Sequence, residues 1–221
     1  MRKSIKQNLK SLWERFLDII FPQSETERRI RNSKKEVFFK LIKIEAIDEK
    51  TISVFEYRND FIKEALWMLK YRRNMWLAKI FAEAMYEVLL EEIGDQILFN
   101  NFTKPILIPL PLSKTRAQER GFNQSELLAK EIYLIDEKEN LSFEPKVLFK
   151  IKNTESQTHK NKKDRRENIK GSFEVRNSQK IKGRNIILID DVYTTGSTLN
   201  EAGRVLRKSG AKKVFGLVVA H

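Results

Sequence analysis

The run Ile186-Ile187-Leu188-Ile189-Asp190-Asp191-Val192-Tyr193-Thr194-Thr195-Gly196-Ser197-Thr198 constrains the fold more than any other part of the chain. It reads as an apolar strand ending in two adjacent carboxylates, followed by a short hydroxyl-rich turn and a helix from about Leu199 to Lys208. The turn Thr194–Thr198 offers backbone N–H groups, hydroxyls and a helix N-terminus, a combination that favours an anion. A carboxylate pair repels a phosphate, so Asp190 and Asp191 need a different partner. Sugar hydroxyls, which donate hydrogen bonds to carboxylates, meet that need, as does a Mg²⁺ ion held by oxygen ligands. The pattern therefore points to a ribose 5-phosphate that carries further negative charge elsewhere.

This segment resembles the phosphoribosyl pyrophosphate (PRPP) motif of type I phosphoribosyltransferases. The resemblance implies that Asp190 and Asp191 bind the ribose 2′- and 3′-hydroxyls. Any Mg²⁺ contact they make would be indirect, through those hydroxyls or water. It further implies that Thr194, Thr195, Gly196, Ser197 and Thr198 form the 5′-phosphate loop. The local alternative is an ordinary strand–turn–helix with solvated acids and capping threonines.

Elsewhere the chain alternates strands and helices, which argues for an α/β fold with a mainly parallel sheet and its site at the strand carboxyl ends. Residues Met1 to about Pro22 read as a basic amphipathic helix, suited to a membrane surface, a partner or the domain itself. Gln23–Lys35 looks like a polar loop. Glu36–Glu45 and Thr51–Tyr57 are β-rich and suggest a small hairpin across Asp48-Glu49-Lys50. Asp60–Leu90 reads as two helices separated near Tyr71–Asn74. Lys104–Leu112 reads as a buried strand leading into a proline-stiffened turn, and Gln124–Ile135 as a helix. Lys146–Ile151 and the segment opening at Ser172–Val175 read as further strands. The expected organisation is an N-terminal helix and hairpin over residues 1–56 and a phosphoribosyltransferase-like domain over 57–221.

Two more constellations carry chemistry. A basic segment, Leu110-Pro111-Leu112-Ser113-Lys114-Thr115-Arg116-Ala117-Gln118-Glu119-Arg120-Gly121-Phe122-Asn123-Gln124, follows a strand and suits a pyrophosphate, with Arg116 and Arg120 as forked donors. Gly121 allows a tight turn. A long Lys- and Arg-rich stretch, Thr154–Lys170, lies between two strands, as mobile lids often do. Pro-Leu-x₃-Arg-x₃-Arg-Gly-Phe-Asn-Gln, the later Gln157, Arg165, Asn168, Gly171 and Phe173, and the upstream Leu69-Lys70-Tyr71-Arg72 together resemble the ComF family of phosphoribosyltransferase-like proteins. That resemblance implies a pyrophosphate loop at Leu110, Pro111, Leu112, Arg116 and Arg120. It also implies a lid that brings Arg165 toward the pyrophosphate, and a connection to natural competence and single-stranded DNA. ComF proteins commonly carry an N-terminal cysteine-rich zinc module. This chain has no cysteine, so thiolate zinc sites, disulfides and thiol nucleophiles are excluded.

Two functions follow as expectations. The first is Mg²⁺-dependent transfer of ribose 5-phosphate from PRPP to an unknown acceptor, with release of pyrophosphate. Its catalytic residues would be Asp190, Asp191, Arg116, Arg120 and Arg165. The second is a non-catalytic, PRPP-responsive factor that binds single-stranded DNA and works with other competence proteins. A net charge of +13 and a pI near 9.8 suit a polyanionic partner in either case. A PRPP-sensing regulator ranks last, because no helix-turn-helix pattern is visible. No apolar run approaches the roughly 20 residues of a membrane span, and a cytoplasmic protein with no integral membrane association is expected. No P-loop or dinucleotide fingerprint follows any strand.

Overall fold

The computed structural model describes residues 24–100, 104–137, 140–152 and 169–221. The amphipathic helix expected over Met1–Pro22 and most of the expected lid, Arg165 included, lie outside the described residues. The chain divides into two units, 1–34 and 35–221.

In the first unit, helix α1 (Glu25–Arg31) stands where a loop was expected. Its signal was present in the sequence: Ser24-x-x-Glu27 is the spacing of a capping box, and Ser24 Oγ accepts from the Glu27 N–H at 3.0 Å.

The second unit is built on a six-stranded sheet in the order β1-β2-β8-β7-β3-β4. The strands are β1 (Ile42–Asp48), β2 (Thr51–Phe55), β3 (Ile106–Pro109), β4 (Ser142–Phe143), β7 (Asn185–Val192) and β8 (Lys213–Ala220). Every neighbouring pair is parallel except β1 with β2. This is the mainly parallel sheet flanked by helices that the sequence predicts. On β3 and β7, Ile106, Ile108, Ile186 and Leu188 cluster with Leu199, Ala202 and Leu206 of helix α7 (Ser197–Lys208). Successive strand residues point to opposite faces, so Leu107, Ile187 and Ile189 turn the other way. Helix α6 (Gln124–Ile135) packs on β3 and β7 and, through helix α4 (Met75–Asn100), completes that layer.

Three expectations are corrected here. Lys35–Phe39, expected to be extended from Glu36 onward, is a short helix, α2. A brief apolar run does not distinguish helix from strand, and here the run supplies Phe38, fully buried against Phe61, Trp76 and Phe81. The hairpin β1–β2 exists but belongs to the main sheet rather than to an appendage over 1–56. Strand β2 pairs in parallel with β8, and all five of its residues are buried. Strands β5 (Leu148–Lys150) and β6 (Phe173–Val175), finally, form a separate antiparallel pair outside the main sheet.

Helix α3 (Asp60–Arg72) ends where a break was expected, with Arg73 in the left-handed region at φ 47°. Near that end of α3, Lys70 reaches the Asp191 carboxylate of β7. Among the described residues no helix is long and apolar enough to cross a membrane.

Candidate functional site

Strand β7 delivers the acid pair. Its aliphatic run is buried as far as Ile189, and the carboxylates emerge where the strand leaves the core. Asp190 Oδ1 accepts two hydrogen bonds, from Ser125 Oγ at 2.9 Å and from the Asp191 N–H at 2.9 Å. Asp191 is 5% exposed. Its Oδ2 lies 3.2 Å from Lys70 Nζ, close enough for an ion pair, yet it receives no hydrogen bond. The lysine thus compensates the charge of a carboxylate held inside the fold.

Burial, and secondarily the neighbouring Asp191 carboxylate, push the Asp190 carboxyl up from 3.8 to about 7. The ligand-free site thus holds a proton that the unfolded chain has lost. Folding takes up a proton between pH 4 and 7, so the pair's contribution to stability falls as pH rises through that window. Asp190→Asn is expected to stabilise the ligand-free protein by about 1–3 kcal/mol at pH 7.5 and to change little near pH 4. Urea unfolding of both proteins at the two pH values checks this, and equal stability at pH 7.5 would sink it.

The turn after β7 is arranged for an anion. Gly196 precedes α7 at φ 68°, in the left-handed region, and supplies no side-chain cap. The first turn of α7 contains no acidic residue. Thr195 Oγ1 and Ser197 Oγ lie 3.0 Å apart, so hydroxyls and helix N–H groups face one small region. The helix begins two residues before the expected Leu199, which brings Ser197 and Thr198 into the N-terminal turn itself. Gly196 also accommodates the Tyr193 ring: a Cβ there would stand 2.1 Å from the Tyr193 hydroxyl.

The basic segment is partly helical rather than a loop. Ser113 caps helix α5 (Lys114–Arg120), and Gly121 closes it at φ 69°. The two prolines lie before this helix and stiffen only its approach. Leu110 extends β3, its N–H donating to Ile189 O at 2.9 Å. Asn123 closes the segment by donating to Leu110 O at 3.1 Å and accepting from the Ser125 N–H at 3.1 Å. Leu110, Pro111 and Leu112 are thereby held beside β7, and Ser125 is presented to Asp190.

Three site residues, Lys70, Lys150 and Ser125, were not assigned from the sequence. Lys150, at the end of β5, has its ammonium held below its usual value, first by burial and then by the Arg116 charge, while Asp190 opposes both. Arg116, Lys150 and Asp190 are therefore electrostatic neighbours. A lysine ending a short strand before a basic stretch was the available signal. Ser125 had none, because its partner is 65 positions away. The Arg120 guanidinium lies 5.3 Å from the centre of the Tyr71 ring. The structure thus brings together Asp190, Asp191, Lys70, Ser125, Arg116, Lys150 and the 194–198 turn. Two adjacent carboxylates fit hydroxyls or a hydrated cation. No cluster of three or more metal-ligating side chains occurs among the described residues.

The model of the phosphoribosyl transferase domain family matches residues 121–221. Competence protein ComFC of Bacillus subtilis is 36% identical over 158 residues, covering 72% of this chain and 58% of that protein. Competence protein F of Haemophilus influenzae is 32% identical over 147 residues, covering 66% and 61%. The chain thus spans about three fifths of the length of these relatives. A solved hypoxanthine phosphoribosyltransferase from Staphylococcus aureus overlaps at 16% identity and a TM-score of 0.30, covering 85% of this chain and 70% of that one. That overlap is too low to build on, whereas the family model covers the acid pair and the turn that follows it. The chain is a phosphoribosyltransferase-like protein of the ComF family.

Proposed function

We propose that the protein binds PRPP and transfers its ribose 5-phosphate group to an acceptor, releasing pyrophosphate. The observation that supports this reading is the acid pair at the end of β7, with Asp191 buried beside Lys70, followed by a turn into a glycine-led helix N-terminus. Asp190 and Asp191 would accept from the ribose hydroxyls, and the 194–198 turn would hold the 5′-phosphate. Arg116 and Lys150 would supply the cations a pyrophosphate needs. A Mg²⁺ ion, when bound, would neutralise part of the pyrophosphate charge, with Asp190 and Asp191 holding it through ribose hydroxyls or water. As C1 becomes cationic, the fixed acids below the ribose and the fixed cations around the leaving group both stabilise charge without rearranging. Arg165 would join them from the stretch between β5 and β6. A phosphorylated sugar substrate suits a cytoplasmic protein.

Calorimetric titration of PRPP with Mg²⁺ tests the reading. A saturable heat with a dissociation constant on the order of micromolar is expected. The absence of any binding would remove it.

A second reading is favoured by one surface. Arg120 lies over Tyr71, Arg72 over Trp67 and Arg73 over Phe122, at 5.3–5.6 Å from the ring centres. Tyr71 is 54% exposed. Alternating guanidinium groups and aromatic rings suit stacked bases and a phosphate backbone. The names of the relatives, competence proteins and DNA utilization proteins, support a role in handling incoming DNA. Binding of an oligothymidylate that weakens steeply with salt would support this reading, and a flat salt dependence would count against it.

A further inference from the structure

We infer that Lys70 is the resident counter-ion of the acid pair: its ammonium takes the place on Asp191 that a divalent cation would otherwise occupy, so the pair admits such a cation only together with a ligand. The exclusion of a free cation stands without the PRPP reading above, and the entry of the cation with its ligand rests on that reading.

Lys70 lies in the last turn of α3, where Leu66, Met68 and Leu69 are buried and fasten the helix to the core. Its neighbours are tied down as well. Tyr71 lies against the Arg120 guanidinium at 5.3 Å, and Arg73 lies over the Phe122 ring at 5.6 Å. Basic residues in a last helical turn commonly meet the free carbonyls there. Lys70 reaches instead to another element. Its Nζ lies 3.2 Å from Asp191 Oδ2, with the lysine side chain 20% and the aspartate side chain 7% exposed. A pair so far out of water is weakly screened, and each charge depends on the other.

Asp190 is held differently, by neutral donors. Its Oδ1 accepts from Ser125 Oγ and from the Asp191 N–H, both at 2.9 Å. The positive charge at the pair therefore comes from Lys70. A divalent ion shared by the two carboxylates would stand within a few ångström of the ammonium and be repelled by it. It would also lack ligands. Mg²⁺ prefers an octahedron of oxygens, and among the described residues no third histidine, cysteine or acid joins the two aspartates in a metal-binding group.

A sugar meets neither obstacle. Its hydroxyls are neutral donors, and an ionised carboxylate has about four lone-pair sites, of which Lys70 takes one on Asp191. A pyrophosphate arrives with its own ion, and its negative charge offsets the repulsion from Lys70. The lysine thus keeps Asp191 a charged acceptor for hydroxyls without committing it to a metal.

The test uses Mn²⁺ alone, followed by loss of the free ion's electron paramagnetic resonance signal. It is run at about pH 8, above the value of about 7 to which Asp190 is raised. Wild-type protein without PRPP is expected to bind Mn²⁺ no more tightly than Asp191→Asn does. Lys70→Gln keeps a donor for Asp191 but loses the charge, and is expected to bind Mn²⁺ at least about tenfold tighter than wild type. The gain should vanish in the Lys70→Gln, Asp191→Asn double variant, and Lys70→Arg should behave as wild type. Losing one partner of a buried pair destabilises, so thermal unfolding is followed in parallel. Mn²⁺ should raise the melting temperature of Lys70→Gln and leave that of wild type unchanged. Tight Mn²⁺ binding by wild type alone, a Lys70→Gln protein that gains none, or a gain that survives Asp191→Asn overturns the inference. PRPP is then added to wild type, and Mn²⁺ retention is expected to tighten at least about tenfold. PRPP that binds without bringing Mn²⁺ overturns the joint entry. Failure of PRPP to bind in calorimetry overturns the PRPP reading and the joint entry with it, while the comparison in Mn²⁺ alone still decides the role of Lys70.

Discussion

Replacing Asp190 and Asp191 together by asparagine is expected to weaken PRPP binding by about a hundredfold or more. Each carboxylate would accept from a ribose hydroxyl, and a hydrogen bond to a charged acceptor contributes about 1.5–3 kcal/mol. Losing only the charge component at both positions amounts to about 2.8 kcal/mol, a factor of one hundred. The fold should survive. Asp190→Asn relieves repulsion within the pair, and Asp191→Asn leaves behind Lys70, whose side chain is 20% exposed and accessible to water. Calorimetry with PRPP and Mg²⁺ reads the affinity, while thermal unfolding confirms that the protein is intact. A folded double variant with wild-type affinity would show that the acids do not hold the ribose.

The second large effect is expected from Gly196→Ala. At φ 68° the added methyl is strained by about 1 kcal/mol. It would also stand 2.1 Å from the Tyr193 hydroxyl and 2.4 Å from its Cζ, distances no packed pair tolerates. Either the ring leaves or the turn opens, and on the proposed reading the turn would supply the N–H groups for the 5′-phosphate. Loss of PRPP affinity by at least about thirtyfold is expected, with destabilisation of about 2 kcal/mol. Tyr193→Ala removes the steric partner but not the backbone strain. The double variant Gly196→Ala, Tyr193→Ala should therefore recover part of the stability, giving a coupling energy of about 1 kcal/mol or more. Strict additivity in urea unfolding would show that the two residues do not oppose each other.

Much of the site was legible because its parts are local. The run from Ile186 to Thr198 holds strand, acids, turn and helix start within thirteen residues, and their order along the chain is their order in space. Helix α6 was equally clear, since Asn123 caps it and its apolar residues recur at helical spacing. The ambiguous places were short ones. Lys35–Phe39 carries an apolar run that suits either a strand or a helix, and burial of Phe38 among aromatic rings decided it. Ser24-x-x-Glu27 was a readable helix signal that the polar composition around it obscured.

What the amino-acid sequence determined by itself was the local chemistry: an acid pair before a hydroxyl-rich turn and helix start, a basic segment after a buried strand, and the absence of thiol chemistry. Each depends on residue types at short spacing, which fix local hydrogen-bonding and charge whatever the fold. Only the tertiary structure decided which distant groups meet. Parallel pairing of β7 with β3 and β8 places Ser125 on Asp190 and sets His221 beside Tyr193, while packing of α3 carries Lys70 to Asp191 and the β5–β6 pair carries Lys150 toward Arg116. Crossover connections bring strand ends together over long stretches of chain, and no local pattern records which side chains will face each other there.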